Sequence, residues 1–258
     1  MAKSTRGIQS VEVSGRIIQA LIAAGRPMML KDMAREAELK PAQCHAYLTS
    51  LKNIGFVHQD SSTGLYAAGA LALRLGVGWM KSDPLMSNLI MKLKAVTEEL
   101  GVMSIITVWG QFGPTIVHIY AGLTQAALNL RHGSSFSVTG SAIGHVFAAH
   151  YEVDKVSSRI NAELSGIGEN IALGEQMSRE NLHITIRKIK ANGYSIEEGR
   201  FIPGLNTVAV PIFTNNQKLF AVASLIGTPD KLSVAVNSAP INKMLNLSQS
   251  ISNSPQTE

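Results

Sequence analysis

Residues 30–57 read LKDMAREAELKPAQCHAYLTSLKNIGFV. Met33, Ala34 and Ala37 give a short apolar face over Lys31–Ala37, and a polar turn follows. Pro41 then stands where a helix begins, because its fixed φ suits the first helical position. In that helix Cys44, Leu48 and Leu51 fall at i, i+4 and i+7, forming one buried stripe, and Gly55 stops it. Ala42, Gln43, His45, Ala46 and Thr49 are left facing outward. The stretch predicts two helices joined by a tight turn, the second with a nearly uncharged outer face.

Reading outward, Val13, Ile17 and Leu21, with Ile18 and Ile22 alongside, mark an amphipathic helix over Val11–Ala24 that Gly25 and Pro27 end. Downstream, Phe56–Gln59 and Leu65–Ala67 read as strands joined by the turn-forming Asp60-Ser61-Ser62-Thr63-Gly64. Three helices and a hairpin make a winged helix-turn-helix pattern, the alternative being a plain three-helix bundle carrying a hairpin. A helix from Ala70 to about Met80 holds Leu71, Leu73, Leu75, Val77 and Trp79 and is apolar on more than one face. It is expected to link two domains and to pack against a second subunit.

The expected organisation is a DNA-binding domain over 1–69, a linker helix over 70–84, a second domain over 85–251 and a disordered tail over 252–258. The second domain alternates helix and strand. Helices are expected at Leu85–Leu100, from Gly140, at Val153–Leu164, at Arg179–Ala191 with Ser178 as N-cap, and after Asp230. Strands are expected at Met103–Trp109, Thr115–Tyr120, Ala126–Arg131, Tyr194–Glu197, Leu205–Phe213 and Leu219–Ile226. Short turns such as Asn215-Asn216 favour antiparallel pairing, so the fold class is α+β, a sheet flanked by helices.

At 258 residues, with 45% hydrophobic and 16% charged, the chain can bury a sizeable core, which excludes a disordered or fibrous protein. Arg74 interrupts the most apolar stretch, Leu65–Met80, so no membrane span is expected. One cysteine, Cys44, excludes an internal disulfide, and the polar start MAKSTRGIQS lacks the apolar core of a signal peptide, so the expected location is cytoplasmic. Residues 1–80 carry nine basic and five acidic side chains against 14 and 13 in the rest. A basic N-terminal unit on a nearly neutral body points to an anionic partner such as double-stranded DNA.

The outward face of the third helix suits base edges, since Gln pairs with adenine and Thr touches a thymine methyl. Lys52, Lys40 and Arg35 flank it as phosphate contacts, and His58 lies on the wing, whose turn has no Arg or Lys. A second constellation is RHGSSFSVTGSAIGH, residues 131–145, a Gly and Ser loop opening a helix. It either aims unpaired amides at an anion such as a small carboxylate or is simply capped by Thr139 or Ser141. Neither Ser134 nor Ser141 sits in a G-x-S-x-G elbow, so no catalytic residue is expected there. His118, His132, His145 and His150 are scattered, with His145 and His150 five apart, and neither a metal site nor a cofactor is expected. Glu197 and Glu198 are strand neighbours facing opposite ways, so one alone can enter a pocket. An enzyme using Glu197 and a histidine on a small molecule is the competing reading.

The segments LKDMAREAELKPAQCHAYLTSLKNIGFV, GLYAAGALALRLG, RHGSSFSVTGSAIGHVFAA, NGYSIEEGRFIPGLNTVAVPIF and AVASLIG, in this order, resemble the IclR-type family of bacterial transcription regulators over nearly the full length. The resemblance implies a winged helix-turn-helix for operator DNA, a linker helix and an effector-binding domain. It implies homodimers or tetramers that answer to small carboxylates or aromatic acids. The family's effector pocket would fall on Phe136, Ala142, Ile143, Glu197, Leu205, Thr207, Ser224 and Ile226. Relatives commonly have Asp at 197, Cys at 207, Ser at 226 and Lys at 145, which implies a different, less hydroxylated or larger ligand here. Glu197 beside an anion is expected to be protonated or to accept from a donor at the ligand's far end. Relatives often have Arg at 46 and Gly at 38, so the operator cannot be borrowed from them. Glu38 in a left-handed turn position should cost about 1 kcal/mol.

Overall fold

The computed structural model is described over residues 7–110, 113–122, 130–165, 177–199 and 203–253. The chain divides into two compact units, 1–83 and 84–258. In the first, α1 (Gln9–Ala24) buries Val13, Ile17 and Ala20 and ends on Gly25 at φ 60°. The helix α2 (Leu30–Glu36) buries Met33 and Ala34, and α3 (Pro41–Asn53) buries Cys44, Leu48 and Leu51. All of these side chains but Val13 meet Val57 and Tyr66 in one core. Glu38 sits in the α2–α3 turn at φ 55°, a left-handed position without glycine. Strands β1 (Val57–Gln59) and β2 (Tyr66–Ala68) pair antiparallel, and Met28 adds a bridge to Tyr66. The linker-segment helix α4 (Ala70–Ser82) buries none of its residues: Leu73 is 68% exposed and Leu75 65%.

The second unit opens with α5 (Pro84–Leu100), one residue earlier than expected because Pro84 itself starts the helix. Its sheet has the order β4-β3-β7-β6-β5, with β3 (Met103–Gly110), β4 (Gly113–Tyr120), β5 (Ser195–Glu198), β6 (Asn206–Phe213) and β7 (Leu219–Gly227) all antiparallel to their neighbours. The strands β6 and β7 are buried on both faces, which is why they read as continuous apolar runs. Val208, Val210, Ile212, Ala221, Ala223 and Leu225 point to a core shared with α5 and α9 (Ala239–Ser252). Ala209, Val222 and Ile226 point the other way, to a core shared with α6 (Ala142–His150). Helices α7 (Val153–Leu164) and α8 (Arg179–Asn192) add a smaller cluster of Val156, Ile160 and Leu182 around Val138.

Three expectations are corrected. The last helix begins at Ala239, not just after Asp230, because Ser238 and Pro240 supply the helix start while Leu232 and Val234 are buried in the intervening segment. It runs through Ser252, so the residue expected to open a disordered tail belongs to a helix, and 254–258 lie outside the described residues. Most of the strand expected at Ala126–Arg131 lies outside the described residues, and Leu130 and Arg131 are not in a strand. Instead, Ser134–Phe136 runs beside β4: Ile116 N–H donates to Ser134 O at 2.9 Å and Phe136 N–H to Pro114 O at 2.8 Å.

His150, at the end of α6, meets the Phe213 ring edge-on with centroids 5.2 Å apart. Burial, and then Lys190, hold its pKa below 6.5, and burial with His132 nearby does the same to His118. Both side chains bind a proton less readily in the folded chain than in the unfolded one. The stability they contribute is therefore present above pH 6.5 and lost as the pH falls through their depressed folded values. Thermal midpoints should drop from neutral to mildly acid pH, and His150→Gln should reduce the drop; a midpoint indifferent to pH in that window contradicts this.

Candidate functional site

Two surfaces carry functional side chains, one in each unit. On α3, Ala42, Gln43, His45, Ala46, Thr49 and Lys52 are all exposed, opposite the buried stripe. Lys40 at the helix start and His58 on β1 are exposed as well. Thr49 Oγ1 donates to His45 O at 2.9 Å, which leaves its methyl and lone pairs outward. Lys52 Nζ donates to Gln59 Oε1 at 3.4 Å and remains solvated. Arg35 is already engaged, 3.4 Å from Asp32 and 3.1 Å from Glu36, so a phosphate must displace those carboxylates. The wing adds a charge at Asp60, which the sequence reading took only as turn chemistry. Asp60 Oδ1 accepts from Ser62 N–H at 2.8 Å, from the Ser62 hydroxyl and from Thr63 N–H at 2.8 Å, and these bonds hold its carboxyl far below the usual range. A fixed negative charge at the wing tip opposes phosphate contact there.

In the second unit one cross-strand row runs Glu197, Thr207, Ile226, Met103, from β5 through β6 and β7 to β3. Glu197 and Thr207 are buried at 6% exposure each, and Glu198, the strand neighbour of Glu197, is exposed. The start of α6 faces this row. A cavity of about 10 Å³ lies there, lined by Phe136, Ser141, Ala142, Ile143, Glu197, Thr207 and Ile226. Ser141 is the lining residue that the sequence reading did not place in the pocket. Its hydroxyl caps α6, accepting from Gly144 N–H at 2.9 Å, so the cap and the pocket are the same residue. The amides of Ala142 and Ile143 have no hydrogen-bond partner among the described residues, as expected in a first helical turn.

Two expected pocket residues are not in the lining. Ser224 is one step along, in the row Ser195, Ala209, Ser224, Ile105, and its hydroxyl donates to Ile105 O at 3.3 Å, so it is spent on the backbone. Leu205 precedes β6, its carbonyl receives Gly199 N–H at 3.0 Å, and its side chain packs against the α6 core.

What holds the loop before α6 is Glu163, on α7, which the sequence reading did not single out. Its side chain is fully buried. It accepts from Ser137 Oγ at 2.8 Å, Val138 N–H at 2.9 Å, Thr139 N–H at 3.0 Å, Thr139 Oγ1 at 2.9 Å and Arg159 Nε at 3.2 Å. Part of the loop expected to meet an anion thus already binds an internal carboxylate. Buried His145 adds a contact from its Nε2 to Thr139 O at 3.1 Å. Gly144 lets α6 lie on this loop, since a Cβ there would fall 2.0 Å from Ser137 O. Among the described residues no group of histidines and acids could hold a metal ion.

The C-terminal domain model of bacterial IclR-type transcriptional regulators matches residues 81–253, and the IclR helix-turn-helix model matches 10–61. The chain is similar to the glycerol operon regulatory protein of Streptomyces coelicolor, 25% identical over 227 residues that cover 88% of this chain and 87% of that protein. The fold resembles that of an IclR-type regulator from Silicibacter sp. TM1040, with a TM-score of 0.79 at 16% identity, covering 94% of each chain. It also resembles an IclR homologue from Microbacterium hydrocarbonoxydans solved with 4-hydroxybenzoate, with a TM-score of 0.69 at 14% identity, covering 94% of this chain and 97% of that one. The relatives are regulators and not enzymes, and this chain belongs to the IclR family of bacterial transcriptional regulators.

Proposed function

We propose that the protein is a cytoplasmic, sequence-specific DNA-binding regulator whose second unit takes a small organic acid at the start of α6. The observation that carries the DNA half is the exposed face of α3, where Gln43, His45 and Thr49 stand without a charged side chain among them. A solvated helix face is ordinarily charged, whereas neutral donors and acceptors suit base edges in the major groove. Lys40 and Lys52 supply phosphate contacts, and Arg35 joins them when it leaves Asp32 and Glu36.

A second copy of the chain covers α4, because five large apolar side chains between Leu71 and Trp79, each at least 39% exposed, would otherwise favour indiscriminate association. The active form is accordingly a homodimer or a pair of dimers, with one α3 for each half-site.

The acid docks with its carboxylate on the Ala142 and Ile143 amides, where the positive helix end favours an anion by roughly 0.3 to 1 kcal/mol. Thr207 offers a hydroxyl, Phe136 and Ile226 the apolar wall, and Glu197 accepts from a donor at the ligand's far end. A cavity of about 10 Å³ holds one water, not an acid. Ligand binding therefore goes with an opening of this site, and the acid favours whichever arrangement of the DNA-binding units accompanies the open form. The aromatic acid bound by the Microbacterium homologue belongs to the expected class.

Operator binding should weaken steeply with salt, as phosphate neutralisation requires. Gln43→Ala or His45→Ala should cost about 1 to 3 kcal/mol on the operator and little on random DNA, whereas Lys52→Ala weakens both. Asp60→Asn keeps the turn's acceptor and should tighten both. Affinity indifferent to salt, or equal losses on both DNAs for the α3 variants, contradicts the assignment. In the effector half, Ala142→Asp should abolish DNA release by the acid while leaving DNA binding intact. Full release at unchanged ligand concentration in that variant would reduce the α6 start to a structural cap.

A further inference from the structure

A second, larger concavity in the same unit is open to solvent and separate in its lining from the α6 cavity. Its volume is about 670 Å³, within the usual range for small-molecule sites. Trp109 of β3 and Tyr151, which follows α6, form one wall, their rings stacked 4.7 Å apart at 17°. The helix α7 also lines the concavity, with Asp154, Lys155, Ser158 and Arg159. Lys155 Nζ lies 3.1 Å from Glu152 and 5.7 Å from the centre of the Tyr151 ring, at the rim.

Arg159 is the informative member. Its Nε is fixed by Glu163, whose own position is set by Ser137, Val138 and Thr139. Neither terminal nitrogen of Arg159 has a hydrogen-bond partner among the described residues, and Nη2 is shut off from solvent. Nη2 has no surface open to the groove, so the donor left for an external carboxylate is Nη1, on a side chain 13% exposed and held at its other end by Glu163. Orientation by Glu163 lowers the ordering cost of that contact.

We infer that this groove is a second binding site, distinct from the α6 cavity, for a planar acid that also carries a hydrogen-bond donor. The carboxylate sits on Nη1 of Arg159 with Lys155 beside it, the planar body lies along the Trp109–Tyr151 wall, and the donor reaches Asp154. A neutral planar molecule leaves the cations unanswered, and an acid without a donor leaves Asp154 unanswered.

The test uses the full chain with Trp79→Phe, so that Trp109 is the single indole of the two in the sequence, and with Ala142→Asp, so that the α6 site is closed to acids. The probe is 4-hydroxybenzoate, read by Trp109 emission. A saturable change is expected, with binding weaker by about tenfold or more for 4-hydroxybenzamide and for the Arg159→Gln variant, as for a lost charged hydrogen bond. Benzoate should bind more weakly than its 4-hydroxy relative. Arg159→Gln leaves Glu163 without that partner, so Ser158→Glu, at an exposed position of α7, provides a second variant that sets a negative charge in the groove without disturbing the core. It too should weaken binding about tenfold or more. No saturable change, equal binding of benzoate, or binding unaffected by Ser158→Glu overturns the proposal. Because Ala142→Asp is present throughout, failure here leaves the α6 reading standing.

Discussion

The second unit depends on one buried carboxylate. Glu163 reaches from α7 to the loop before α6 and gathers two backbone amides, two hydroxyls and a guanidinium nitrogen around itself. A carboxylate taken out of water costs several kcal/mol unless its lone pairs are met, and here all the partners but Arg159 are supplied by a segment with no regular structure of its own. The exchange benefits both sides. Residues 137–139 obtain a fixed conformation that neither helix nor sheet provides, and α7 is tied to α6 through it. Gly144 then allows α6 to rest on this loop, and Ser141 closes the helix end.

That arrangement divides the amides of the segment into two groups. Val138 and Thr139 give theirs to an internal anion, whereas those of Ala142 and Ile143 have no partner among the described residues and belong to the residues that line a cavity with Glu197, Thr207 and Ile226. The first group sets the position of the second. The acid proposed to dock there would meet a helix end that the protein has already oriented, which is the condition under which a few hydrogen bonds can decide affinity. Arg159 connects the same carboxylate to the groove beyond α7, so both concavities are built on a shared internal charge.

Much of this was legible in the residues because it rests on local chemistry. The stripe Cys44, Leu48, Leu51 fixed the outward face of α3, and the alternation of Glu197 with Glu198 correctly sent one inward and one outward. The start of α8 was signalled by Ser178, whose hydroxyl accepts from Asn181 N–H. What was not legible depends on partners distant in sequence. Glu163 lies 24 residues from Thr139 and looks like any solvated acid on a charged helix until the loop folds over it. Ser224 was expected to face a ligand, yet its hydroxyl goes to Ile105, a strand partner 119 residues away. The late start of α9 was missed because Leu232 and Val234 resemble the first turn of a helix, while burial in the sheet's core keeps that segment irregular. Asp60 was read as turn chemistry, and its charge follows from the same bonds that make the turn.

The central claim, that Glu163 organises the loop on which the α6 site is built, is tested most directly by the hydrogen-exchange rates of the Val138 and Thr139 amides, measured by NMR in the protein and in Glu163→Gln. Glutamine keeps the shape and one acceptor oxygen but replaces the other with a donor. The account predicts slow exchange of both amides in the protein and exchange faster by about tenfold or more at one or both in the variant, as expected for a lost charged hydrogen bond. Equal rates in the two proteins would contradict it.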